Sequence, residues 1–380
     1  MCRILYLVGQ LGVGGLERQL YYLLLGMNRD IYQPAVAVWN YSTDHLNAER
    51  IRTLGVPVYP LSQGGSRYKK LAALHQLIAA LNPEIVHSYS FYTNFAAWLC
   101  SHGSTAIPIG SIRQNFRNER LVAGRVVGRL SARWPTTQIC NSLAAKSTVQ
   151  AVRDPFKPTR LYIVHNGLDL ADFPESSSFP SKPMLLAIGR LSPEKRWDRL
   201  IDVMTMIKNT RTPFVVRHAG TGPLAQELQQ HARRNGLEKD IVFLGLRPDT
   251  KTLLRESAFL IHTADEEGCP NVVMEAMACA RAVVATDAGD VAHLVEDGRT
   301  GFVVPRGDDK RLADRIVTLI KNRRLSKQMG ENGRVKALRE FRLERLVSGT
   351  FKVYQAQGWR GVSDRVELCS QQLPAAYGKE

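Results

Sequence analysis

Two carboxylates, Glu267 and Glu275, stand with seven residues between them in the run EEGCPNVVME, which also holds Gly268 and Pro270. Proline suits the first turn of a helix, where its missing N–H would have no partner anyway. Glu267 then lies in the loop before a helix and Glu275 inside it, so the two are presented differently. On one reading, both accept hydrogen bonds from hydroxyls of a ligand laid beside the helix N-terminus. Paired acid and base catalysis is the second use of such carboxylates, and suits this placement less well. On the plainest reading, Glu267 complements the helix dipole and Glu275 is a surface residue.

Cations occur at a matching place. In AIGRLSPEKRWDRLI, Arg190 and Lys195 follow an apolar run and flank a Ser-Pro turn. At the carboxyl edge of a parallel sheet, two fixed cations would neutralise a diphosphate, the guanidinium by forked hydrogen bonds and the ammonium as a point charge. The alternative is a solvated loop with ordinary surface charge. Near the start, GQLGVGGLERQL sets Gly12, Gly14 and Gly15 between a strand and a helix beginning near Leu16. That is either a tight turn or a phosphate-binding loop; it lacks the GxGxxG spacing of dinucleotide sites.

The elements that must position these groups are legible as short apolar runs alternating with segments of helical period, the pattern of α/β folds with parallel sheets. RILYLV, PAVAVW, PVYPL, EIVHS, AIPIGSI, TTQICN and RLYIVH form one series of strands; MLLAIG, FVVRHAG, IVFLG, AFLIHT, AVVAT and GFVV form a second. The Ser- and Pro-rich DFPESSSFPSKP between them reads as a linker. Three helical segments follow the second series. A length of 380 residues agrees with two domains.

The formal net charge of +16 calls for an acidic partner, and six Arg against one Glu lie within Ser111 to Pro135. No recognised nucleic-acid motif accompanies that charge, which argues against a nucleic-acid partner. The cysteines Cys2, Cys100, Cys140, Cys269, Cys279 and Cys369 show no CxxC, which argues against zinc and for a reducing compartment. No run approaches a membrane span, and ILYLV reads as a buried strand, not a signal peptide.

Taken in order, GVGGLERQL, VHNGLDLADF, GRLSPEKR, HAGTGPLAQEL, VFLGLRPDTKTLL and EEGCPNVVMEAMA resemble the retaining GT-B glycosyltransferases of family 4, over about residues 3–356. The resemblance implies two Rossmann-like domains facing across a cleft: an acceptor domain over 1–173, a linker over 174–183 and a nucleotide-sugar domain over 184–340. A helix over 341–357 would cross back to the first domain, and 358–380 is an irregular tail. It further implies that Glu267 holds donor-sugar hydroxyls and Glu275 the ribose. Arg190 and Lys195 would stabilise the departing diphosphate, and backbone amides from Gly268 to Val272 would contact sugar and phosphates. Asn271 would then matter by position more than by side chain. Gly14, Gly15 and Gly189 fall in the loops about the donor, and Asn166 where the chain leaves the first domain. The donor favoured is a UDP-sugar and the acceptor a hydroxyl of a glycan or lipid-linked precursor. No DxD sequence is present to hold a metal, so no metal or other cofactor is expected.

Some positions depart from the family. Where a histidine is usual at the acceptor cleft the chain reads PIGSIRQNFRNER, leaving Arg113 and His87 as acceptor-side candidates, His87 having a structural role as its alternative. Arg196 replaces the usual glycine after the lysine; it adds charge to the site or points away. In the stretch 117–134, helical spacing would set Val126, Val127, Leu130 and Trp134 on one arc and Arg125, Arg129 and Arg133 on another. Such a helix would lie on anionic lipid, making the protein cytoplasmic and peripheral on the inner membrane face, or pack on its own sheet with a solvated basic face. A nucleotide-sugar epimerase and a non-catalytic nucleotide-binding scaffold are the competing functions.

Overall fold

The computed structural model describes residues 2–12, 14–43, 45–61, 65–173 and 184–361. The first sheet contains β1 (Cys2–Val8), β2 (Tyr32–Val38), β3 (Val58–Pro60), β4 (Ile85–Ser88), β5 (Ile107–Ile112), β6 (Thr137–Cys140) and β7 (Arg160–Ile163) in the order β3-β2-β1-β4-β5-β6-β7. The second contains β8 (Met184–Ile188), β9 (Val215–Ala219), β10 (Ile241–Phe243), β11 (Phe259–His262), β12 (Ala282–Thr286) and β13 (Gly301–Val304) in the order β10-β9-β8-β11-β12-β13. Every strand pair is parallel. Each sequence run expected as a strand supplies one.

Parallel sheets covered on both faces need apolar residues at successive positions, and β1 shows why. Ile4, Tyr6 and Val8 enter the cluster built with helix Gly15–Leu25 and the C-terminal helix. Leu5 and Leu7 enter the one containing Leu74 and Ile78 of helix Arg67–Leu81. In both sheets the order reverses beside the first strand of the unit, at β1/β4 and at β8/β11. Outside the carboxyl ends of strands at such switch points, open α/β sheets bind ligands.

The two units share packing. Leu20, Leu24, Leu346 and Phe341 lie in one apolar cluster with Val273, Met274 and Met277 of the second unit. Helix Leu343–Ala356 returns to the first sheet, where Tyr354 Oη lies 2.7 Å from His87 Nδ1 and 3.3 Å from Tyr6 Oη. Beyond it, Trp359 Nε1 donates to Glu84 at 2.8 Å, and the Trp359 ring packs at a tilt against Phe351 and Tyr32. Burying an aromatic side chain of this kind stabilises by about 2–3 kcal/mol, so Trp359 helps to hold the returning helix on the first sheet. The linker 174–183 and most of the tail lie outside the described residues.

The basic stretch differs from expectation. It forms two helices, Phe116–Val122 and Arg125–Arg133, separated at Gly124 with φ +86°. The second crosses the first so closely that a Cβ on Gly128 would lie 2.2 Å from the Arg120 carbonyl oxygen. Gly128, Ser131 and Ala132 form the buried face, while Leu121, Val122 and Val126 are exposed at the corner. Trp134 leaves the expected arc to stack on Trp98, with ring centroids 5.2 Å apart.

Candidate active site

The chain leaves β8 through Gly189 and reaches a single 3-10 turn, Pro193–Lys195. Trp197 Nε1 donates to the Arg190 carbonyl at 2.8 Å and pins this loop. The turn at Gly220, φ +147°, passes so near that a Cβ would lie 1.9 Å from the Gly189 carbonyl oxygen. Lys195 Nζ pairs with Glu267 Oε1 across the switch point. His262, at the carboxyl end of β11, brings Nε2 to 3.0 Å from the same oxygen, out of hydrogen-bond alignment. Burial raises the Glu267 pKa, but Lys195 and His262 outweigh it and bring it down to about 2. The result is a carboxylate fixed as an acceptor at neutral pH. The Arg190 side chain is exposed and enters no ion pair among the described residues. Arg196 points away from this pair: it bonds Asp198 at 3.0 Å and Asp265 at 2.5 Å.

The helix after Glu267 runs Asn271–Ala278, so Pro270 caps it one residue earlier than the first-turn position expected. The first N–H groups of a helix have no intrahelical acceptor. That of Val273 bonds the Pro270 carbonyl at 3.1 Å, whereas those of Asn271 and Val272 have no backbone partner among the described residues.

Asn271 does more than hold a position. Its Oδ1 accepts from Asn166 Nδ2 at 2.8 Å and from Gln19 Nε2 at 3.2 Å, and its Nδ2 donates to the Gly15 carbonyl at 3.2 Å. Gln19 also bonds both backbone groups of Gly167, at 2.8 and 2.9 Å. This polar knot joins helix Gly15–Leu25, the segment leaving β7 and the helix after Glu267. Gly14 is the N-cap of the first of these, and Gly15 brings its backbone against Asn271.

Glu275 is not a surface residue. It is 2% exposed, and Arg18 Nη2 lies 2.5 Å from its Oε1. Burial raises its pKa, with Arg18 and Lys251 opposing.

Two further contacts set the width of the cleft. A Cβ on Gly268 would lie 2.3 Å from the Arg113 carbonyl oxygen. Asp290 of the second unit accepts from the N–H groups of Leu143 and Ala144 at 2.9 and 2.8 Å, at the N-terminus of helix Leu143–Gln150. Arg113 itself lies over the Tyr89 ring at 3.9 Å, with Nε buried and without a hydrogen-bond partner.

His87 is buried near the carboxyl end of β4. It is 1% exposed, with Nδ1 against Tyr354 and Nε2 3.0 Å from Ser111 Oγ. Burial and then the Arg113 charge hold its pKa well below the usual histidine value. Both nitrogens are occupied, by Ser111 and by Tyr354 of the returning helix, which fits the structural alternative for His87. Cys269 is buried, and burial pushes its thiol up to about 12, an environment for a small apolar filler.

Arg18, Gln19, His262 and Asp290 went unnoticed in the sequence. His262 had a signal, since it ends AFLIH at the sheet edge where ligands bind. Arg18 and Gln19 had another, being three and four residues after Gly15 on one helix face. Asp290 had none. Among the described residues no group of three or more His, Cys, Asp or Glu is disposed to hold a metal ion, and no helix is long and apolar enough to cross a membrane.

Comparison with known proteins gives the family. Residues 13–172 match the family described as Glycosyltransferase Family 4, and residues 170–336 the one described as Glycosyl transferases group 1. An uncharacterized glycosyltransferase of Methanocaldococcus jannaschii is 26% identical over 62% of this chain and 65% of its own length. The alpha-maltose-1-phosphate synthase of Mycolicibacterium smegmatis is 24% identical over 75% of this chain and 84% of its own. The lipopolysaccharide core mannosyltransferase LpcC of Rhizobium leguminosarum is 31% identical over 51% and 59%. Among solved structures, Anabaena HepE in complex with UDP and glucose superposes with a TM-score of 0.79 at 22% identity, covering 94% of this chain and all of its own. With two family matches that meet near residue 171, and a fold of two facing Rossmann-like units, the chain belongs to the family 4 glycosyltransferases of GT-B architecture.

Proposed function

We propose that the protein transfers a hexosyl group from a UDP-sugar to a hydroxyl acceptor, with retention of anomeric configuration and without a metal ion. The Lys195–Glu267 pair at the carboxyl edge of the second sheet carries this reading. Breaking the bond between the sugar carbon and the diphosphate oxygen places negative charge on the diphosphate and positive charge on the carbon. Lys195, Arg190 and the free N–H groups of Asn271 and Val272 stabilise the first; fixed donors of that kind are worth about 3–4 kcal/mol each. Glu267, held as a carboxylate, accepts hydrogen bonds from the donor sugar. The acceptor oxygen then bonds to the sugar carbon while its proton passes to the departing diphosphate oxygen. UDP is favoured because HepE was solved with UDP and glucose, and a structure of Staphylococcus aureus TarM also holds UDP.

The acceptor enters from the first unit, past Arg113. A lipid-linked or surface-polysaccharide precursor suits the exposed corner of Leu121, Val122 and Val126 beside Arg117, Arg125 and Arg129, which would rest on the anionic inner face of a membrane. The test is UDP release from UDP-hexoses, with and without lipid-linked glycan acceptors and in EDTA, with product configuration read by NMR. Donor conversion without acceptor would identify an epimerase, and nucleotide binding without turnover a scaffold. Loss of turnover in EDTA would remove the metal-independent part.

A further inference from the structure

Helix Gly15–Leu25 and helix Asn271–Ala278 meet along matched faces. Gly15 faces Asn271, Gln19 bonds Asn271, and Arg18 pairs with Glu275 one turn further on. Residues three and four apart share a helix face, so one face of the first unit meets one face of the second. The pair is unequal in exposure: Glu275 is buried at 2%, while Arg18 is 29% exposed. Arg18 Nε is buried without a hydrogen-bond partner, and Glu275 Oε1, for all its nearness to Arg18, has no aligned donor. The other cation near Glu275, Lys251, is already paired with Asp172. Arg18 is therefore the nearest compensating charge for a buried carboxylate, and it comes from the opposite unit.

Resting on the donor-site reading above, we propose that Arg18 is a positioning residue for the ribose: it holds Glu275 ionised and oriented so that the carboxylate's second oxygen accepts from a ribose hydroxyl. A buried carboxylate without its counter-charge takes up a proton, and the neutral acid is a weaker acceptor. The ribose end of the site is thus complete only when the two units are docked. Recognition of the nucleotide is coupled to closure through one side chain. The motif GGLER carries this role in its last residue, beside the glycines that let the helices approach.

The experiment is calorimetric titration of the full-length chain with UDP and with UDP lacking both ribose hydroxyls, using wild type, Arg18→Ala, Arg18→Lys and Glu275→Ala. Wild type is expected to lose about ten-fold or more in affinity when the hydroxyls are removed, the scale of hydrogen bonds to a charged group. Arg18→Ala should bind UDP about ten-fold more weakly, yet bind the hydroxyl-free nucleotide as wild type does. Arg18→Lys should recover part of the discrimination. Equal weakening of both nucleotides by Arg18→Ala, or undiminished discrimination, overturns the role of Arg18 and leaves the donor site standing. Failure of wild type to bind either nucleotide overturns the donor-site reading and this inference with it.

Discussion

Asn166 donates through Nδ2 to Asn271 Oδ1 at 2.8 Å, and both residues are buried where the two units meet. Replacing Asn271 by Ala takes one acceptor from each of the Asn166 and Gln19 amides, which keep the Cys269 and Gly167 carbonyls, and a buried N–H left without its acceptor costs about 1–3 kcal/mol. Asn271→Ala should therefore lower the thermal midpoint by several degrees. A midpoint within one degree of wild type in calorimetry would contradict this account of the knot.

Lys195→Ala removes the cation from Glu267 and from the leaving diphosphate. Turnover should fall by about two to three orders of magnitude, as for loss of one fixed transition-state donor, while the far-ultraviolet circular dichroism stays unchanged. Steady-state UDP release checks it, and near-normal kcat would show that the charge is dispensable.

The pKa of Glu267 sets a pH prediction with a definite sign. Its folded value, about 2, lies below the ordinary glutamate range near 4.3. A depressed carboxylate contributes stability that is fully present above its unfolded pKa and lost as pH falls toward the folded one. Wild type should thus lose stability from about pH 4 downward, and Glu267→Gln should show a flatter acid limb. Urea midpoints measured between pH 7 and pH 3 decide it; parallel curves would mean that Glu267 is not held ionised.

Gly268→Ala introduces a Cβ that would lie 2.3 Å from the Arg113 carbonyl oxygen. The backbone there has little room to give, so the cleft must open. The expected outcome is a fall in kcat/KM with a small change in the unfolding midpoint. Unchanged kcat/KM would show that this approach of the units is not needed for turnover.

Asp290 bonds two N–H groups at the start of helix Leu143–Gln150, in the other unit. Removing a cap costs about 1 kcal/mol, and here two donors lose their partner together. Asp290→Ala should lower the urea midpoint without altering secondary structure, and an unchanged midpoint would argue that Ser142, which already accepts from Ala145 at 3.0 Å, suffices as cap.

Local pattern determined much of this protein. Strands buried on both faces, such as Ile4–Val8 of β1 and Ala282–Ala285 of β12, must be apolar along that stretch, so all thirteen described strands could be picked out as runs, and their two series imply two parallel sheets. The Glu267 and Glu275 spacing and the Arg190 to Lys195 loop were likewise readable, because each lies within one loop-and-helix unit. What only the tertiary structure decided is which charge meets which. Lys195 and Glu267 are 72 residues apart in the chain, Asn166 and Asn271 are 105, and Arg18 meets Glu275 from the opposite unit. Helical period also misled at 117–134, where Gly124 turns the chain and Gly128 lets two helices cross. Hydrophobic periodicity reports which face of an element is covered; the identity of the partner depends on how separate elements dock, which no local spacing encodes.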